Sequence, residues 1–481
     1  MDAIVAVLDK EKANATKKAV AMLEILQHET VEAFGIASAS TLRLENSIDA
    51  LEKVNIHGHA VVGQIFSKRG QKKSPMRLLK NAALAFNGTN YSDEILWDKD
   101  TQKKRKQLAQ KLTRKTEGDF AFAIAETERL ITGRHVMGTR PLYYGEDTNT
   151  LALASERKAL WKIRIEKTKS FPPGYVGIAD QQGFRFTETK KLSYSAPKPI
   201  TMQAAARQLQ ALLKKSTQKK VSGLKEVAVA FSGGLDSSII ATLTKNTDVA
   251  ITLIHASLAG QPETQHAKQI AEELKLPIET CEFNENDVEK VLPDVLWAIE
   301  ESDPVDISIG IPVYWTAEKA SERGFSMLLA GQGADELFGG YKRYVNSYLT
   351  HGAEKTRKQM FDDVVKLYET NIERDYKICS RHNVDLRLPF ATYAIAKFAE
   401  NLPINLKLEP KATTLRKLVL RRVAENLGLP MSVVTKPKKA IQYTTGVSKA
   451  LKKIAKKHHL TIKDYLENMF QATCKKMMPD D

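Results

Sequence analysis

Residues 231 to 238 read FSGGLDSS: two glycines and three serines around one carboxylate. Glycines let the backbone turn tightly, so several N–H groups can converge on one anion beside a helix start, and hydroxyls can join them. Ser232, Gly233, Gly234, Ser237 and Ser238 therefore describe a phosphate cradle. The lysine that the GxxxxGK[ST] loop uses for β and γ phosphates is missing, and Asp236 stands inside the loop instead. A carboxylate facing a polyphosphate is repulsive unless a divalent cation lies between them. Asp236 is accordingly read as a Mg²⁺ ligand, with the cap of a Gly-rich turn as the plainer alternative.

A second constellation is LLAGQGADELFGGYKRY, residues 328 to 344, where Asp335 and Glu336 sit between glycines after an apolar run. At the end of a parallel strand this is where an open α/β sheet binds ligands. Asp335 can share a metal with Asp236, each giving one hard oxygen.

The elements that must carry these residues follow from the hydrophobic pattern. KEVAVAF is apolar enough for a buried parallel strand, SSIIATLTK continues as a helix, and the alternation goes on through AITLIHASL, ETQHAKQIAEELKL, IETCEF, VEKVLPDVLWAIEE and SMLLA. Strands and helices alternating at this length predict a parallel sheet with helices on both faces. From about residue 350 the pattern is almost wholly helical. Before a Pro- and Ser-bearing seam at 190–202, DAIVAVL, HAVVGQIF, AALAFNGT, DFAFAIAE, RLITGRHV and PLYYGE read as short strands and ANATKKAVAMLEILQH as a helix. The expectation is two domains, residues 1–195 as α+β with substantial sheet and 196–481 as α/β ending in helices.

Composition limits the alternatives. With 481 residues, 42% apolar and 27% charged, the chain is an ordinary globular protein of more than one core. No apolar run approaches a membrane span and the first residues lack a signal-peptide pattern, so a cytoplasmic protein is expected. Cys281, Cys379 and Cys474 are far apart without CxxC spacing, which argues against a zinc ribbon or disulfide framework. A net charge of +16 attracts polyanions, ATP and RNA included. Its basic runs, 103–115, 436–439 and the tail to Lys476, read first as solvated helix faces.

SGGLDSS resembles the pyrophosphate loop of the N-type ATP pyrophosphatases, and the second motif with FGGY intact is similar to the asparagine synthetase family. The likeness extends along the chain. Residues 119–124, 138–145, 153–160 and 172–178 resemble that family's N-terminal class II glutamine amidotransferase domain, an Ntn-hydrolase-like fold. Residues 373–390 and 436–447 resemble segments lining its synthetase site. The resemblance implies ATP and Mg²⁺ as cofactors and an ATP-dependent, AMP-forming carbon–nitrogen ligase. Ser232, Gly233, Gly234, Asp236, Ser237 and Ser238 would hold pyrophosphate and, with Asp335, the metal. Phe231, Ala256, Ala330 and Gly331 match positions framing adenosine, and Lys438 or Lys439 falls where the family places a lysine near the α phosphate. Such a cation stabilises the charge developing during adenylation.

Three positions depart from the family. Members that use glutamine begin Met-Cys-Gly, whereas this chain begins Met1-Asp2-Ala3, and Thr89 in FNGTNY stands where Glu is common beside the retained Asn87 and Gly88. A glutaminase fold without glutaminase activity, packing against the synthetase domain, is therefore expected. Gln332 replaces a glutamate able to move a proton from the attacking amine, which a neutral amide cannot accept. Asp385 in NVDLRLPF is the nearest candidate base by resemblance, unless it only pairs with an arginine such as Arg387. The favoured reaction joins the side-chain carboxylate of aspartate to free ammonia, giving asparagine, AMP and pyrophosphate. The alternatives are a β-lactam synthetase-like ligase using another amine and an RNA-modifying adenylating enzyme. The partners expected are small molecules, with a homodimer allowed for, no membrane, and nucleic acid disfavoured.

Overall fold

The computed structural model describes residues 2–27, 31–67, 76–90, 105–115, 117–409 and 415–478. Met1, Tyr91, Lys103 and Lys104, on which parts of the sequence reading rest, lie outside them. Contacts divide the chain into two compact units: Met1–Lys191 with Arg381–Asn383, and Leu192–Ser380 with Val384–Asp481.

The first unit is built on two antiparallel sheets, one of seven strands and one of six. Strict alternation decides its layers. On the strand Ala3–Asp9, Ile4, Ala6 and Leu8 enter one apolar cluster and Ala3, Val5 and Val7 another. The strand Gly118–Ala125 sends Ala121, Ala123 and Ala125 into that same first cluster, while Phe120, Phe122 and Ile124 point away from it. One core thus lies between the sheets, rich in alanine, so the sheets approach closely. The outer faces are covered by helices, Thr16–Ile25 and Arg157–Lys162 on one side and Arg105–Lys115 on the other. The expected α+β class is the observed one. Strands Val31–Ala37, Leu42–Glu45, Thr150–Ala154 and Lys169–Ser170, absent from the sequence reading, complete the larger sheet.

The second unit holds a parallel sheet, as its alternating pattern predicts. The strands are β1 (Glu226–Ala230), β2 (Ala250–Leu258), β3 (Ile278–Phe283), β4 (Met327–Leu329) and β5 (Asp385–Arg387), in the order β3-β2-β1-β4-β5. All four pairings are parallel. Val227, Ala228, Val229, Leu253 and Leu329 are fully buried, as a sheet covered on both faces requires. The order reverses direction between β1 and β4, which pair at Ala228↔Leu328 and Val229↔Leu329. The crevice beyond their carboxyl ends is the topological switch point, so the two motifs, a hundred residues apart, emerge side by side.

Helices α1 (Leu235–Lys245) and α2 (Pro262–Glu273) follow β1 and β2, and α3 (Pro304–Glu322) precedes β4. After β4 come α4 (Ala334–Phe338), α5 (Glu373–Arg381) and α6 (Leu418–Asn426). Two features differ from the sequence reading. It gives no element to residues 304–322, where Gly310 and Pro312 blur the pattern. The region after 350, read as helical, supplies β5, whose three residues are too few to show a period.

Candidate active site

The phosphate loop is shaped by backbone and histidines together. Phe231 N–H extends the β1–β2 ladder to Ile254 O at 2.8 Å. Gly233 then takes a left-handed conformation, φ +64°, and a side chain there would press within 3.0 Å of Ala267 and His266. Two reasons therefore disfavour other residues there. The Gly233 carbonyl is 3.0 Å from His266 Nε2 and the Phe231 carbonyl 2.9 Å from His255 Nδ1. Burial pushes both imidazoles below their usual range, so they hold the loop as neutral rings. Gly234 is the extended cap of α1, and Ser237 Oγ bonds its carbonyl at 3.2 Å and meets Ser232 Oγ at 3.3 Å. The free N–H groups of an eleven-residue helix thus open beside two hydroxyls.

Asp236 and Asp335 come together, but not alone. Lys417 Nζ lies 2.5 Å from Asp236 Oδ2 and 2.7 Å from Asp335 Oδ1, and Lys438 Nζ lies 3.0 Å from Asp335 Oδ2. Two carboxylates and two ammonium groups form one neutral cluster. Burial alone would raise the Asp335 carboxyl, yet the two lysines outweigh it and hold it far below the usual range. Burial likewise opposes the charge on Lys438, and Asp335 with Asp236 lifts it to about 12. Asp236 Oδ1 is buried with no hydrogen-bond partner among the described residues. Such an orphaned hard oxygen, beside a phosphate loop, fits a cation arriving with its nucleotide.

The glycines around this cluster are there for space. A Cβ on Gly331 would sit 3.1 Å from Asp236 Cβ. One on Gly340, the second glycine of FGGY, would collide with Asp335 Oδ1 and Lys417 Cε. Gly340 N–H also bonds the Asp335 carbonyl at 2.7 Å, closing the turn after α4.

Lys438 arrives on a segment with little secondary structure of its own, and two arginines tether it. Arg421, on α6, donates to the carbonyls of Val434 and Lys436, and Arg416 donates to that of Lys438 at 2.8 Å. Lys439 is on the same wall but its ammonium goes to Glu263 at 3.5 Å, and its side chain is 66% exposed.

Ser232, Gly234, Asp236, Ser237, Phe231, Ala256, Ala330, Gly331, Asp335, Lys438 and Lys439 all line one cavity of about 820 Å³. Gly233 and Ser238 are not on its wall; Gly233 turns its carbonyl to His266, and Ser238 is fully buried. Asp385 is also absent from the wall. It forms an ion pair with Arg387 at 3.0 Å, and of β5 only Leu386, between them, reaches the cavity. Strand alternation thus turns the candidate base to the opposite face.

At the cavity's other end Gln332 donates from Nε2 to Asp375 Oδ2 at 2.6 Å. Asp375 Oδ1 accepts from Arg374 Nε at 2.8 Å, and Arg374 Nη1 donates to Asp306 Oδ1 at 2.7 Å. Glu336 is buried and accepts from Tyr341 at 2.6 Å and Asn371 at 2.7 Å; burial, with Asp335 next in weight, raises its carboxyl. Sequence reasoning missed Lys417, Asp306, Arg374 and Asp375 as individuals. Arg374 and Asp375 lie in a segment flagged by resemblance, whereas Lys417 sits in RKLVLRR, which reads as any basic helix start.

The family model described as asparagine synthase matches residues 208–355 and 346–474. The chain belongs to the asparagine synthase family. A second model, the glutamine amidotransferase domain, matches residues 65–162. A Methanocaldococcus jannaschii protein provisionally named asparagine synthetase [glutamine-hydrolyzing] 1 is 34% identical over 389 residues, 71% of this chain and 72% of its own length. Asparagine synthetase B [glutamine-hydrolyzing] of Escherichia coli is 28% identical over 69% of this chain and 61% of its own length. For the asparagine synthetase [glutamine-hydrolyzing] of Asparagus officinalis the identity is 28%, over 69% of this chain and 58% of the relative. The cavity of this asparagine synthase family member falls within the matched region.

Proposed function

We propose that this family member makes asparagine, by ATP-dependent adenylation of the aspartate side-chain carboxylate and attack of ammonia on the mixed anhydride, releasing AMP and pyrophosphate. One observation carries the reading: the phosphate loop, both carboxylates and Lys438 face the same cavity. The β and γ phosphates would lie on Ser232, Gly234, Ser237 and the start of α1. Phe231, Ala256, Ala330 and Gly331 would frame the adenosine. Lys438, held charged by Asp335, would meet the negative charge developing at the α phosphate. Lys417 keeps the carboxylates together where they would otherwise repel.

Mg²⁺ would be held by Asp236 and Asp335 with phosphate oxygens completing its shell, and would neutralise the leaving pyrophosphate. No group of three or more His, Cys, Asp or Glu suited to a metal occurs among the described residues, consistent with a cation that depends on the nucleotide. Gln332 orients rather than deprotonates the amine, its nitrogen being committed to Asp375.

The N-terminal unit is proposed to keep its fold without hydrolysing glutamine. Thr89 supplies no carboxylate, and the amide of Asn87 is turned to Ser155 Oγ at 3.4 Å.

The test is pyrophosphate release with ATP, Mg²⁺, aspartate and ammonium. Aspartate should stimulate it, glutamine should not replace ammonium, and Asp236→Ala should abolish it. No stimulation by aspartate in the wild-type protein overturns the reading. Release that needs no added ammonium but does need an amine-bearing acid would point to a β-lactam synthetase-like ligase instead.

A further inference from the structure

At the end of the cavity away from the phosphate loop, Asp306 and Gln332 each present an acceptor that has no donor among the described residues. Asp306 gives Oδ1 to Arg374, and its Oδ2 makes no hydrogen bond to any described residue although the side chain is only 25% exposed. Gln332 gives Nε2 to Asp375. A carboxylate accepts and never donates, so this contact fixes the amide's orientation and leaves Oε1 as the unmatched atom.

The charge count points the same way. One guanidinium, Arg374, serves two carboxylates, Asp306 at 2.7 Å and Asp375 at 2.8 Å. Asp375 is fully buried and takes its second donor from neutral Gln332, so the surplus negative charge falls on Asp306, the member that faces the cavity. Of the other charges at this end, Arg343 pairs with Asp363 at 3.0 Å, Glu336 has Tyr341 and Asn371, and Lys366 is exposed. Asp303 spends Oδ1 on the N–H groups of Val305 and Asp306, which fixes the first turn of α3 and with it the Asp306 backbone. Burial raises the Asp306 carboxyl despite Arg374, as expected of a carboxylate short of donors.

A ligand group that satisfies this wall must bring N–H donors and a positive charge. We infer that Asp306 Oδ2 and Gln332 Oε1 form a subsite for a primary ammonium group of the substrates, making Asp306 a specificity-determining residue. The inference rests on reading the cavity as an amide-forming site. Two groups of that chemistry enter the reaction, the α-ammonium of the amino acid and ammonium itself.

Calorimetric titration separates them and does not depend on turnover. Aspartate, succinate and ammonium chloride are titrated into the full chain and into Asp306→Asn, each with Mg²⁺ and a non-hydrolysable ATP analogue. Succinate keeps both carboxylates and lacks the amine. A charged hydrogen bond predicts that aspartate binds about 10- to 100-fold more tightly than succinate to the wild type, and that the gap closes in the variant. That result assigns the subsite to the α-ammonium. Ammonium binding that is weakened about tenfold or more in the variant, with the aspartate–succinate gap retained, assigns it to the entering amine. Equal binding of aspartate and succinate to the wild type, together with ammonium binding that is absent or unchanged by the substitution, overturns the inference. The wild-type comparison needs no variant and survives any folding defect of Asp306→Asn. Amine-dependent binding without pyrophosphate release would remove the proposed reaction and leave the subsite standing.

Discussion

Lys417 Nζ lies 2.5 Å from Asp236 Oδ2, across 181 positions of sequence. Lys417 itself sits in the left-handed region, φ +61°, where a residue with a side chain is rarely placed. The contact therefore uses a backbone state that costs about 1 kcal/mol or more, and the surrounding structure must hold it there. The ammonium stands between two carboxylates in the first turns of α1 and α4, at the switch point.

The two adjacent lysines should separate cleanly by substitution. Lys438→Ala removes the cation paired with Asp335 inside the cavity and should lower kcat for pyrophosphate release by about 100-fold or more. Lys439→Ala breaks a 3.5 Å pair with Glu263 whose ammonium is largely in solvent, worth at most about 1 kcal/mol, and should change turnover less than about fivefold. Equal losses in the two variants would contradict the geometry.

Gly340→Ala tests the close approach behind the carboxylate pair. The added methyl must displace Asp335 or Lys417, so activity should fall by about 100-fold while the fold loses about 1–3 kcal/mol. Wild-type activity in a folded Gly340→Ala protein would show that the spacing of Asp335 and Lys417 is not needed.

Gln332→Glu replaces a donor by a second carboxylate against Asp375. The new carboxyl must stay protonated to keep the 2.6 Å contact, so its folded pKa is raised above the unfolded value. Such a group keeps its stabilising form below the unfolded pKa and loses it as pH rises through the folded one. Urea unfolding should find the variant close to wild type near pH 4 and about 1–3 kcal/mol less stable near pH 8. A difference independent of pH would deny the coupling.

Lys407 gives a pH prediction of the opposite kind. Burial lowers its pKa to about 8, against attraction from Glu400. Between pH 8 and the ordinary lysine value the unfolded chain holds a proton that the folded chain does not, so stability rises with pH across that window, by up to about 3 kcal/mol. Lys407→Met removes the titration and should flatten that rise in denaturant melts from pH 7 to 10. Parallel curves for the two proteins would count against a buried, shifted lysine.

Local chemistry made much of this protein legible. The glycines and serines of FSGGLDSS, the alternation of strands and helices, and the carboxylates at 236 and 335 are readable because backbone freedom, hydrophobic period and charge are properties of short stretches. Other assignments required the folded chain. Lys438 and Lys439 are identical in type, and only the tether from Arg416 and Arg421 turns one toward Asp335 and the other toward Glu263. Asp385 reads either as a base, by resemblance, or as a partner of Arg387, and the pleat of β5 turns it toward Arg387 and off the cavity wall. Lys417 carries no distinguishing signal in the sequence, and the fold buries it between two acids. Sequence therefore determined which groups exist and which elements carry them. Tertiary structure decided which of them meet, because ion pairing in a buried cavity depends on distances of a few ångströms between segments that lie up to 181 positions apart.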